Sequence, residues 1–246
     1  MIVAAALCPC PPLLARELTG HEEVLPELRD ACAAAVARLL AAEPDVLVVV
    51  GPDDQTGTWP ADGRLDFGAY APALARRPAA SEAPWPAQST AAAAAARRPL
   101  LPLSLGMGAL LLDEAGYAGP RAFQGIDAAA TPDECRTLGR RLAATAPRTA
   151  LLAMGDGSAR RSTSAPGYLD ERAAPFDLTV ERAVREGDLA ALASLDPALA
   201  ADLLAIGRPA WQALAGAIMP SRVETEVRYC DAPLGVSYLV ATLIPQ

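Results

Sequence analysis

Residues 155–158, with the sequence GDGS, place a carboxylate, a hydroxyl and open backbone amides in one short stretch. They follow six mostly apolar residues at 149–154, a run too short for a helix that predicts a strand buried on both faces. Glycine supplies the positive φ angles of a sharp turn after such a strand. Because ligands of α/β sheets collect at the carboxyl ends of the strands, this loop is a candidate functional site.

The candidate residues of this loop are Asp156, Ser158 and Arg160. Arg160 and the adjacent Arg161 could hold an anionic ligand through forked hydrogen bonds. The alternative interpretation is structural. In it, Asp156 or Ser158 caps the next helix, and the two arginines form its solvated first turn.

The elements around this loop predict one α/β domain over residues 1–246. Apolar runs at 1–7 and 45–51 flank a segment with apolar residues at helical spacing, which predicts a βαβ unit with parallel strands and a right-handed crossover. A capping box at Thr131 and Glu134 begins a further helix. Other helices are predicted over 106–116, 173–186, 188–195, 197–206 and 209–219, with strands at 121–125, 223–229 and 236–244, the last two forming a C-terminal β-hairpin.

Residues 59–102 lack this regularity, because prolines repeatedly interrupt short apolar pieces. Long irregular segments within compact domains are usually lids, binding loops or flexible excursions. The sequence predicts either an irregular lid or a flexible excursion here.

Composition excludes several classes of function. The net charge is −8 and the 21 basic residues, all arginine, form no stripe, which argues against nucleic-acid binding. The absence of lysine excludes Schiff-base and Walker-type phosphate chemistry. No apolar run is long enough to span a membrane, and five cysteines without a recognisable signal peptide favour free thiols in the cytoplasm. The arginine, alanine and proline bias is typical of a high-GC bacterial coding sequence.

Several motifs occur in a recognisable order along nearly the whole chain. They are 8–14 (CPCPPLL), 155–160 (GDGSAR), 165–168 (APGY), 174–177 (APFD) and 233–240 (PLGVSYLV). Together they resemble the LigB-like (class III) extradiol ring-cleavage dioxygenase superfamily, which also includes Memo-type proteins. The resemblance implies a single central mixed sheet, largely parallel, flanked by helices. It also implies ferrous iron held by two histidines and a carboxylate, with another histidine as acid/base.

The chain departs from that pattern at each histidine. Cys10 and Asp53-Asp54 stand at two implied ligand positions, Ala159 stands at the acid/base position, and Cys230 or Glu226 stands at the third ligand position. The sequence contains a single histidine, His21, which precedes the first long helix and is expected in a surface or capping role. A triad with two histidines cannot be built from one. The resemblance therefore implies a degenerate, oxidoreductase-like member, a pseudoenzyme without ordinary ferrous ring cleavage.

Three functional hypotheses follow. The first is a homologue without a cofactor that retains a pocket for a small molecule or a protein partner. The second is a dioxygenase or other metal-dependent enzyme in which Cys10, Asp54 and Cys230 form a remodelled site, better suited to zinc than to Fe(II). The third is an interaction protein that forms a homodimer.

Overall fold

Apolar strands covered by helices on both faces form the centre of the fold. The computed structural model describes residues 1–20, 22–65 and 99–246. The strands within those ranges are β1 (Ile2–Cys8), β2 (Val46–Asp53), β3 (Gly57–Trp59), β4 (Arg121–Asp127), β5 (Thr149–Met154), β6 (Val223–Asp231) and β7 (Tyr238–Pro245). The helices there are α1 (Arg16–Thr19), α2 (Pro26–Leu40), α3 (Leu103–Glu114), α4 (Pro132–Ala143), α5 (Ala173–Glu186), α6 (Leu189–Ala193), α7 (Pro197–Asp202) and α8 (Arg208–Ile218), with a 3₁₀ turn at Pro12–Leu14.

The described strands form one mixed sheet in the order β3-β4-β2-β5-β1-β7-β6. The four strands β4, β2, β5 and β1 are parallel to one another, and the hairpin of β6 and β7 extends the sheet in antiparallel fashion. The predicted fold class is therefore confirmed: a single α/β domain with a largely parallel central sheet and a C-terminal β-hairpin.

The strand order, which the sequence left open, separates the two strands of the predicted βαβ unit. The strands β1 and β2 are parallel, as the βαβ pattern predicts, but they are not neighbours. The strand β5 lies between them, so that Leu151 pairs with Ala5 on one side and with Val48 on the other. The chain reaches this central position late, through α4.

The alternation of strand side chains divides the core into two layers. One layer, the α8 face, contains Val48, Val50 and Leu151 and is covered by α4, α5, α6 and α8. The opposite layer, the α2 face, contains Val49 and Leu152 and is covered by α2 and α3. Each connection after a strand therefore has to run toward one face or the other.

On the α8 face, α4 and α8 cross at very short distance. The predicted capping box fixes the start of α4, since Thr131 accepts from the Glu134 N–H and Glu134 accepts from the Thr131 N–H. Gly139 of α4 lies against the backbone of α8, and a methyl group there would overlap the Ala213 carbonyl oxygen. Gly216 makes the reciprocal contact with the backbone of Arg136.

Two sequence expectations fall outside the described ranges. His21 is not described, and neither is most of the irregular 59–102 segment. Within the residues that are described, no helix is both long and apolar enough to cross a lipid bilayer.

The substitution Gly139→Ala is expected to destabilise the protein by about 1–3 kcal/mol, because overpacking against the α8 backbone exceeds the helix-propensity gain of up to about 1 kcal/mol. Urea unfolding measures the difference. The control is Thr137→Ala, an exposed position of the same helix, which should be neutral or slightly stabilising. A stabilised Gly139→Ala variant would contradict the described crossing of α4 and α8.

Candidate functional site

The adjacent strands β1 and β5 send their connections to opposite faces of the sheet. After β1 the chain turns to the α2 face, where Cys10 and Leu14 are buried, whereas after β5 it proceeds to α5 on the α8 face. In open α/β sheets, the crevice at such a topological switch is where ligands bind. The loop predicted from the sequence, 155–158, lies at this switch point. We call the region between the carboxyl ends of β1 and β5 the crevice.

A hydrogen bond between Cys10 and Asp156 joins the two sides. The Cys10 N–H donates to Asp156 Oδ1 over 2.7 Å, and the Gly155 N–H donates to the Cys8 carbonyl over 3.0 Å. Asp156 is half-buried, and burial raises the pKa of its carboxyl to about 6, although hydrogen bonds from the Cys10 N–H and thiol oppose that rise. Burial, with the Asp156 charge, raises the pKa of the Cys10 thiol, so the thiol is neutral at pH 7.

Close contact between two glycines shapes the loop. Gly155 has a φ of +152°, as predicted for a glycine turn, and a side chain there would overlap Gly207 Cα. The Gly207 N–H in turn donates to the Asp156 carbonyl over 2.9 Å. Gly157 needs no positive φ, and its hydrogen instead makes room for Asp177 and Ser237, each 2.8 Å from where a methyl group would lie.

Ser158 is part of the loop's internal framework. Its side chain is fully buried, with Oγ donating to the Leu203 carbonyl at 3.2 Å and accepting from the Arg160 N–H at 3.1 Å. The expectation that Asp156 or Ser158 caps the next helix is wrong, since α5 begins only at Ala173 and has no side-chain cap. The arginines likewise do not form its first turn.

The buried carboxylate of Asp177 was not predicted as a site residue. It accepts from the Ser158 N–H at 2.9 Å and pairs with the Arg161 guanidinium at 3.0 Å. Arg161 is thus already neutralised, whereas Arg160 forms no ion pair within the described residues. The sequence does contain a signal for Asp177: its place in the helical periodicity puts it on the same inward face of α5 as Ala173.

The final strand completes the crevice. The Gly157 N–H donates to the Ser237 carbonyl at 2.8 Å, and the Ser237 N–H donates to the Ser158 carbonyl at 2.8 Å. Burial raises the pKa of the adjacent Tyr238 hydroxyl, and the nearby Asp156 charge raises it further. Tyr238 therefore stays protonated as a donor beside Asp156.

The structure does not bring Cys10, Asp54 and Cys230 together. Cys10 belongs to the α2 face, Cys230 packs on the α8 face beside Glu181, and Asp54 is exposed after β2. Within residues 1–20, 22–65 and 99–246, no group of three or more His, Cys, Asp or Glu side chains is placed to hold a metal ion.

The residues of the crevice also do not fit the iron site that the family resemblance implies. A buried neutral thiol, a methyl side chain at Ala159 and a carboxylate bonded to a backbone amide cannot replace two imidazole ligands and an acid/base. The donor set present at this sheet edge therefore disagrees with two-histidine ferrous chemistry.

Comparisons with known proteins support the fold. No protein-family model matches the chain, and no curated protein matches it. An uncharacterised protein of Escherichia coli K12, JW3007, has a similar structure, with a TM-score of 0.56 and 14% sequence identity over 98% of this chain and 99% of that chain. At this identity the likeness shows a shared fold over the full length and nothing about activity.

Replacing Asp156 by asparagine is expected to stabilise the protein at pH 8 but not at pH 4. The pKa of this carboxyl rises from its ordinary 3.8 to about 6 on folding, so the folded state binds the proton more tightly. The tighter proton binding stabilises the folded state below about pH 4. This stabilisation is lost as the pH rises through 6, which lowers the free energy of unfolding by at most about 3 kcal/mol.

Urea unfolding of Asp156→Asn and wild type at both pH values measures this difference. The matched control is Asp188→Asn, because asparagine caps a helix as well as aspartate and Asp188 is the exposed N-cap of α6. An Asp156→Asn effect that is equal at pH 4 and pH 8 would contradict the assigned environment.

Proposed function

We propose that this chain is a LigB-like homologue that binds a small molecule in the crevice between the carboxyl ends of β1 and β5, without catalysing ferrous ring cleavage. The observation that carries the proposal is the convergence of three distant motifs on that crevice. Residues 8–14, 155–160 and 233–240 meet there through the bonds of Cys10 with Asp156 and of Gly157 with Ser237.

The crevice offers a defined set of polar groups. Asp156 accepts hydrogen bonds when it is ionised above about pH 6, and the Tyr238 hydroxyl is a donor beside it. A carboxylate with a perturbed pKa at a topological switch is a recurring mark of functional sites. A ligand with one or more hydroxyl groups, such as a diol or a phenol, matches this arrangement.

The absence of ring cleavage follows from the side chains at the implied catalytic positions. Loss of a positioned acid/base alone lowers a rate by about 10²–10⁴-fold, and Ala159 cannot transfer a proton. The single histidine of the sequence cannot supply two imidazole ligands. The proposal therefore assigns binding, rather than oxygen chemistry, to the crevice.

A thermal-shift panel of catechols, aromatic acids and aliphatic diols at pH 7.5 tests the proposal. A compound at about 100 times its Kd adds about 2.7 kcal/mol, which raises Tm by about 5–10 °C for a domain of this size. Asp156→Asn should abolish the shift by removing the charged acceptor, whereas Asp188→Asn should retain it.

Two outcomes would contradict the proposal. One is a panel in which no compound shifts Tm. The other is a shift that survives unchanged in Asp156→Asn, which would place the ligand elsewhere on the molecule.

A further inference from the structure

Apolar side chains cluster on the surface beside the crevice. Tyr168 is 74% exposed, Leu169 52%, Leu204 42% and Ile206 40%. We call these four residues the Tyr168 surface. Such contiguous exposed apolar groups on a folded domain mark interaction sites.

The Tyr168 surface is held in a strained but well-bonded conformation. Tyr168 has a φ of +59° and Leu204 a φ of +56°, values that are rare for non-glycine residues. The Tyr168 N–H donates to the Ala165 carbonyl at 2.9 Å. Gly167, which precedes Tyr168, is packed closely: a methyl group there would lie 2.7 Å from both Arg160 Cγ and Leu204 Cδ1. The tyrosine is therefore presented to solvent by a fixed backbone rather than by a loose loop.

An apolar groove lies close to this projecting tyrosine. It occupies about 590 Å³ between α5 and the α6–α7 segment. Its lining includes the buried Phe176 and Leu195, the exposed Pro175, and the charged Glu171 and Arg172. Glu171 is only three residues from Tyr168 in the chain, so projection and groove belong to one side of the molecule.

Several of the charged residues around this side form ion pairs within the protein. Arg172 pairs with Asp170 at 2.8 Å and with Asp202 at 3.1 Å, and Arg161 pairs with Asp177. In contrast, Arg160, Glu171 and Asp196 form no ion pair with any described residue. Asp196 instead caps α7, and Arg160 lies near Asp170, which already pairs with Arg172. Arg160 and Glu171, of opposite charge, therefore flank the Tyr168 surface without an ion-pair partner of their own.

We propose that the Tyr168 surface is the interface of a two-fold symmetric homodimer. Tyr168 of each copy inserts into the groove between α5 and α6–α7 of the other copy. Arg160 of each copy then pairs with Glu171 of the other, which gives two symmetry-related ion pairs.

The requirement of self-complementarity favours a second copy as the occupant. A two-fold interface uses the same patch on both copies, so the patch has to carry both a projection and a hollow, and both signs of charge. This side of the molecule carries all four. Tyrosine and arginine are also the side chains that contribute most at the centres of protein interfaces.

The substitution Tyr168→Asn separates association from folding. Asparagine tolerates the left-handed conformation better than tyrosine, so the monomer should be at least as thermally stable as wild type while dimerisation is lost. Sedimentation equilibrium at loadings up to about 100 μM covers the affinities expected of a specific interface. Leu100→Asn, at a 47% exposed position outside the Tyr168 surface, is the control and should remain dimeric.

Charge reversal tests the pairing itself. Arg160→Glu and Glu171→Arg should each raise the dimer Kd at least about tenfold through like-charge contact, and the double variant should return to within about threefold of wild type. A wild-type protein that is monomeric throughout, or a Tyr168→Asn variant that stays dimeric, overturns the proposal. A double variant that fails to recover also overturns it.

Discussion

The hydrogen bond from the Cys10 N–H to the Asp156 carboxylate is the contact on which the candidate site depends. It joins the ends of two parallel strands whose chains leave toward opposite faces of the sheet. On the other side of the loop, Gly155 and Gly207 let the loop and the start of α8 meet without side chains. Burial of the Asp156 carboxyl at this junction raises its pKa.

Local sequence patterns predict the elements well because each pattern reports a local interaction. The apolar run at 149–154 is fully buried in β5, and the capping box at Thr131 forms as expected. The position of β5 between β1 and β2 could not be read in this way. It depends on the pairing of Leu151 with strands that are distant in the sequence. No local pattern in the first βαβ unit indicates that a later strand, reached through α4, lies between its two strands.

The site residues in the turn after β5 could be predicted from the sequence. The face on which a residue of β6 packs could not, because it depends on the pairing register of that strand. Asp156 was identified because a carboxylate follows a buried strand at the binding edge of the sheet. Cys230 shows the opposite case. A bulge between Val227 and Tyr229 adds one residue to β6, so Tyr229 packs on the α2 face and Cys230 on the α8 face. Without this bulge, the alternation of side chains along β6 would place Cys230 on the α2 face, the same face as Cys10.

These features describe a fold in which a carboxyl–amide contact occupies the position where the family resemblance implies imidazole-bound iron. The most direct test loads the purified protein with ferrous iron under nitrogen, adds catechol and air-saturated buffer, and follows oxygen uptake and ring-opened product. The account predicts uptake no faster than that of the same iron and catechol without protein. Catalytic oxygen uptake with accumulation of ring-opened product would contradict it.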